Sequence, residues 1–215
     1  MELKGLGDGY ELTSMNAVGN CFIGIGTFDD KTEKFAMKYD PTLDVWSKIQ
    51  EMPVLLHQYA TVAFNDTLLI SGGKKSRDTV STRDFWMYSL AANVWTKLPN
   101  MNYDRSNHVM LRSNTKIYFI GDAGGYDLPV EEVECYDMIT QTFKFITSVI
   151  STRFSASYFL FDDKIFVKDG FEDVELTKGP SHTIEVYDLK TSNWIICYNI
   201  NIHYLMYDSI HMYKT

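Results

Sequence analysis

The chain has 215 residues, of which 45% are hydrophobic and 22% charged, and a formal net charge of −8. This is not the apolar-poor, charge-rich composition of a disordered segment, and an acidic chain lacks the broad basic field needed to bind nucleic acid or an anionic membrane. No apolar run approaches the roughly 18 residues that cross a bilayer. Met1 to Gly5 lacks the apolar stretch of a signal peptide. Cys21, Cys135 and Cys197 are too scattered for a disulfide framework or a metal cluster. The expectation is a cytoplasmic protein with no metal, no cofactor, no nucleic acid and no membrane contact.

Taken in chain order, the segments read as short strands. Tyr10 to Val18 forms the first, and Cys21 to Gly26 is a β-branched and aromatic run ending in glycine. Tyr39 and Trp46 flank a turn at Asp40-Pro41-Thr42-Leu43-Asp44. The next unit is the clearest. A strand near His57 to Phe64 turns at Asn65-Asp66-Thr67 into Leu68 to Gly72, with Gly73 completing a glycine pair. Further strands follow near Asp84 to Leu90, which contains Tyr88, and around Val94-Trp95-Thr96.

The third unit repeats the plan with Ile117 to Asp122, including Gly121, then Tyr136 and Phe143. The fourth does so with a turn at Asp162-Asp163, the run Ile165 to Gly170, then Tyr187 and Trp194. Residues 203–215 read as the first strand of a further unit or as a ring-closing strand. Nothing has a convincing 3.6-residue period, so almost no helix is expected.

The spacings make these units a repeat. Tyr39 precedes Trp46, Tyr88 precedes Trp95, Tyr136 precedes Phe143 and Tyr187 precedes Trp194, each by seven residues. Trp46 to Gly73, Trp95 to Asp122 and Phe143 to Gly170 each span 27 residues, while the stretch from the turn to the next tyrosine varies from 13 to 17. The period is 48 to 51 residues, and the approximate repeats are 10–54, 55–102, 103–150 and 151–202. Four-stranded units of this kind bury their faces by stacking, with Tyr and Trp as apolar plates between them. Gly26, Gly72, Gly73, Gly121 and Gly170 then serve close backbone approach or positive φ.

A hydrophobic strand ending in Gly-Gly, then Tyr-Asp, then Trp seven residues on, then a Pro/Met turn (Met52-Pro53 and Leu98-Pro99-Asn100-Met101) resembles the kelch repeat. The resemblance covers roughly residues 10 to 215. It implies an all-β chain of kelch-type β-propeller blades, about four four-stranded antiparallel sheets forming an incomplete propeller, with 1–215 as a single kelch-repeat region. It departs from the family where Phe143 replaces Trp, where Ser89 follows Tyr88, and where the family arginine before the first strand of a unit, present as Arg105 and Arg153, becomes Leu56 and Tyr204.

With the strands of a unit named A to D, the B–C and D–A loops lie on one face, and the B–C loop is the only segment of variable length. Variable loops on a rigid scaffold commonly carry binding. By resemblance to kelch adaptors, Arg105, Ser106, Arg153 and Ser155 are expected to contact a peptide segment of a protein partner; Lys74, Arg77, Tyr126 and Phe171 join them from composition and loop position. The resemblance further implies a non-catalytic interaction module. One version is the substrate-recognition part of an adaptor for a cullin-type ubiquitin ligase, although no BTB-like helical stretch occurs in these residues. The other is an actin-associated protein. Some kelch-like propellers act on sugars, one class at copper, but His57, His108, His182, His203 and His211 are scattered, and no nucleophile triad, carboxylate pair or phosphate loop occurs.

Overall fold

The computed structural model describes residues 10–28, 33–75, 80–121, 129–171 and 181–198. The described residues contain strands, turns and bends, and no helix. Two compact units divide the chain, Met1–Ser148 and Val149–Thr215.

Unit one contains three sheets. The first comprises β1 (Tyr10–Val18), β2 (Cys21–Phe28), β3 (Glu33–Asp40) and β4 (Val45–Lys48); the second β5 (Ala60–Phe64), β6 (Thr67–Ser71), β7 (Phe85–Ser89) and β8 (Val94–Lys97). The third comprises β9 (Val109–Ser113), β10 (Lys116–Ile120), β11 (Glu132–Asp137) and β12 (Thr142–Ser148). Unit two carries β13 (Ser157–Phe161), β14 (Lys164–Lys168), β15 (Thr183–Asp188) and β16 (Asn193–Tyr198). Every sheet is an antiparallel meander in chain order, the blade that the repeat predicts. Tyr10–Val18 is a full strand, and the expected strand within 203–215 lies outside the described residues.

The invariant spacing of seven has a direct cause. It places Tyr39 opposite Trp46, Tyr88 opposite Trp95, Tyr136 opposite Phe143 and Tyr187 opposite Trp194 in the register of the third and fourth strands. The ring centroids of the three Tyr–Trp pairs all lie 5.1 Å apart, and those of Tyr136 and Phe143 lie 4.8 Å apart. Each pair frames a hairpin whose last turn residue adopts positive φ: Asp44, Asn93, Gln141 and Ser192. The residue after the tyrosine caps that turn. Asp40, Asp137 and Asp188 each accept two backbone N–H groups, and Ser89 Oγ accepts that of Ala92 at 3.2 Å. The Tyr88-Ser89 departure therefore keeps its function, because a hydroxyl oxygen stands in for the carboxylate.

Two cores lie between the sheets of unit one. Val18, Ile23, Ile25, Met52, Leu56, Leu68, Ile70 and Tyr88 join the first sheet to the second. Ala60, Leu69, Phe85, Met101, Met110, Ile117, Phe119 and Tyr136 join the second to the third. Tyr88 and Tyr136 are thus plates between blades, and Trp95 Nε1 reaches back to donate to Gln50 O at 2.8 Å. Met52 and Met101, from the Pro/Met element, plug equivalent gaps. Each is almost fully buried, which contributes about 2 kcal/mol of apolar transfer per side chain.

Candidate functional site

The loop face is built by the segments that leave the second and fourth strands of each blade. After β6 the chain passes through Gly72 (φ 61°) and Gly73 (φ 85°). A Cβ on Gly72 would lie 2.3 Å from the Arg105 carbonyl oxygen, and one on Gly73 would lie 2.5 Å from that of His57, so both positions require glycine. Gly121 and Asp169 hold the same left-handed conformation at the first position of the pair, and Gly170 does so at the second. Asp tolerates this region better than most residues, which explains how the fourth blade keeps the turn with one glycine. Gly26 differs: it lies within a strand, and a Cβ there would collide with the Glu11 carbonyl oxygen.

The D–A loops then dock on the B–C loops. His57 pairs with Lys74 through two backbone hydrogen bonds of 2.8 Å, and Phe154 pairs with Phe171 at the equivalent positions. Lys74 also bridges Ser81, and Thr82 bridges Arg105. One residue after His57 and Phe154 the chain turns left-handed, at Gln58 and Ser155, and it does so at Asn107, two residues after Arg105.

Beneath this face lie two buried ion pairs with one plan. Arg105 Nε lies 3.4 Å from Glu134 Oε1, its Nη1 donates to Gly121 O at 3.1 Å, and its Nη2 donates to Glu132 O. Glu134 Oε2 accepts the backbone N–H of Asn102 at 3.0 Å and its side-chain amide at 2.9 Å. In unit two, Arg153 Nη2 meets Glu185 Oε1 at 2.6 Å, while its Nη1 donates to Asp169 O and Thr183 O. Glu185 Oε2 accepts the N–H of Ile150 at 3.0 Å. Burial pulls the Arg105 guanidinium below its ordinary range, and Glu134 opposes that shift.

The sequence expectation for three residues is corrected here. Arg105, Ser106 and Arg153 are 0%, 1% and 2% exposed, so they are not presented to a partner. The two arginines hold carbonyls and carboxylates inside their own units, and Ser106 Oγ accepts a hydrogen bond from Ser81 Oγ at 3.0 Å. Lys74 is also largely buried, Ser155 is exposed and Phe171 is partly buried. Arg77 and Tyr126 lie outside the described residues.

Glu134 and Glu185 were missed by sequence reasoning, although a signal was present. Glutamate stands two residues before the repeat tyrosine only in the two blades whose loop carries arginine; the other blades have Met37 and Trp86 there, and the second has Leu56 in the arginine position.

His108, also missed, is buried between the second and third blades. Its Nε2 lies 2.7 Å from Ser71 Oγ, and its ring stacks on Phe119. Burial, with a smaller contribution from Arg105, holds its pKa well below the usual histidine value. Among the described residues, no group of three His, Cys, Asp or Glu side chains could hold a metal ion, and no helix is long and apolar enough to cross a membrane.

Four meander blades, with glycine-turned loops in each unit and, in unit one, the Tyr88–Trp95 and Tyr136–Phe143 pairs packed against the neighbouring blade, define a repeat protein of the β-propeller blade class. Residues 56–102 match the Kelch motif family. Kelch-like protein 24 of Homo sapiens is 31% identical over 100 residues, covering 46% of this chain and 16% of that protein. Alpha-scruin of Limulus polyphemus is 24% identical over 164 residues, covering 74% of this chain and 18% of that protein. The solved structure of YjhT matches with a TM-score of 0.62 at 14% identity, covering 86% of this chain and 62% of that one. The family match falls on the second blade, and the other three sheets repeat its four-stranded meander. The chain corresponds to about one sixth of the length of the first of these relatives.

Proposed function

We propose that the chain is a non-catalytic protein-interaction module that binds its partner on the B–C and D–A loop face. The observation that carries this reading is the docking of D–A loops on B–C loops, His57 on Lys74 and Phe154 on Phe171, which fixes the bases of the variable loops on rigid blades. In unit one this surface has Lys75 and Arg83 exposed and Val80 at 54%; in unit two, described by itself, Ser155 and His182 are exposed and Phe171 is partly so. An exposed apolar side chain among polar ones suits a protein surface. Arg77 and Tyr126 belong to the same loops and remain part of the proposal.

The resemblance to kelch adaptors favours a cytoplasmic role in substrate recognition for a cullin-type ubiquitin ligase. An actin-associated role is the second reading from the same resemblance. Affinity capture from cytosol, combined with co-sedimentation on filamentous actin, separates the two. A Val80→Glu/Lys75→Glu variant should lose the captured partner, whereas Ile139→Lys, on the opposite turn face, should keep it. Equal capture by both variants overturns the face assignment, and recovery of neither a cullin complex nor actin removes both finer readings.

A further inference from the structure

Both joins between sheets in unit one have the same polarity. In the second sheet Val62, Leu69 and Met87 stand directly opposite one another, and this row packs against the tyrosine row of the third sheet, Ile117, Tyr136 and Phe143. Ile23 of the first sheet occupies the position of Leu69, and it packs in the same way with Leu68, Tyr88 and Trp95 of the second. Ile23, Leu68, Leu69 and Ile117 are all fully buried by these joins.

Two further rows of the same kinds are exposed instead. The tyrosine row of the first sheet is Ala17, Phe22, Tyr39 and Trp46. Phe22 stands where Leu68 and Ile117 stand, yet it is 36% exposed, and Met15 on the same face is 58% exposed. In unit two, taken by itself, the row equivalent to that of Leu69 runs through Phe159, Phe166, Val186 and Ile195, opposed across all four strands. The rings of Phe159 and Phe166 stack at 4.7 Å, Ile195 is 57% exposed, and Phe161, two residues along β13 on the same face, is 70% exposed. Neither row contains a charged residue, so covering it would strand no charge away from water. Exposed apolar rows of this kind mark surfaces that another surface covers.

We infer that the chain associates head to tail with a second copy of itself, the Phe159–Ile195 row of one copy packing on the Phe22 row of the other. The two rows are opposite halves of the join that unit one makes twice, so the surface that fits each of them is carried by the same chain. Different faces meet on the two copies, which makes the contact heterologous. It uses strand residues rather than the B–C and D–A loops, and it is independent of the partner proposed there.

The experiment is sedimentation velocity on the whole purified chain over a hundredfold range of concentration. The mass should rise from monomer to dimer or beyond as concentration increases. Met15→Lys in unit one, and Phe161→Lys or Ile195→Lys in unit two, should each weaken association at least tenfold. All three side chains are exposed, and a cooperative melt like that of the parent verifies folding. Ile139→Lys, exposed on a turn outside both rows, should associate as the parent does. An equimolar mixture of Met15→Lys with Phe161→Lys should restore a one-to-one dimer, because one join then keeps both native faces. A parent that stays monomeric overturns the inference, whether its two rows remain open or meet within one chain. So does a mixture that stays monomeric, or a Met15→Lys variant that associates as tightly as the parent. Only the purified chain is needed, so this contact can fail while the loop-face reading stands, and the reverse.

Discussion

Arg105 and Glu134 are 29 residues apart in sequence and meet at 3.4 Å with neither side chain exposed. Such a pair offsets its own desolvation only while both charges and their hydrogen bonds are present. Glu134→Gln is expected to lower unfolding stability by about 3–5 kcal/mol, because it leaves the guanidinium buried without a counter-charge. Arg105→Met combined with Glu134→Leu should recover a substantial part of that loss. Urea denaturation at constant m-value checks both, and a double variant no more stable than the single one would refute the coupling.

The glycine pair gives a second test. Gly73→Ala must hold a left-handed backbone while its new methyl group faces the His57 carbonyl. A cost of at least about 1–3 kcal/mol is expected from backbone strain alone. The same change at Gly121 should also destabilise, through φ. A melting temperature unchanged in Gly73→Ala would show that the loop relaxes freely.

His108 gives a dependence on pH. In the folded protein burial holds its pKa well below 6.5, so it stays neutral where the unfolded chain takes up a proton. Between the folded pKa and about 6.5 the unfolded state binds more protons, so stability falls as pH falls through this window and is independent of His108 above it. The limiting slope is about 1.4 kcal/mol per pH unit for one proton. Urea midpoints measured from pH 7.5 to 5 should fall less steeply in a Ser71→Ala/His108→Phe variant than in the parent. Parallel slopes would rule out His108 as a contributor.

The cysteines should differ in reactivity. Burial pushes the Cys135 thiol up to about 11, while Cys21 and Cys197 are each partly exposed. Since the thiolate is the reactive form, N-ethylmaleimide at pH 8 should modify Cys135 last, on the timescale of unfolding. Peptide mass spectrometry over a labelling time course reads this directly. Labelling of Cys135 at the rate of Cys21 would contradict its burial.

The blades were legible because their determinants are local or strictly periodic. Tyr88 and Trp95 face each other across a hairpin, so a spacing of seven encodes a contact. The two-residue turn at Asp162-Asp163, with both φ values positive, was visible in its residue types. The buried arginines were not legible, because their partners lie across the loop whose length varies. Arg105 finds Glu134 after 29 residues, whereas Arg153 finds Glu185 after 32. A charged residue in a loop reads as solvated unless its counter-charge is seen, and only the folded blade brings the two together.

Those same guanidinium groups each grip both ends of a B–C segment. Arg105 donates to Gly121 O, where the segment leaves β10, and to Glu132 O, where the chain enters β11. Arg153 does the same with Asp169 O and Thr183 O. The neck of each segment is therefore tied shut from below, and its length is uncoupled from the blade that carries it. Added residues would meet only the slow growth of loop-closure entropy, about 0.6 kcal/mol per doubling. A scaffold tied in this way can have its recognition surface rewritten by insertion while its core keeps one register.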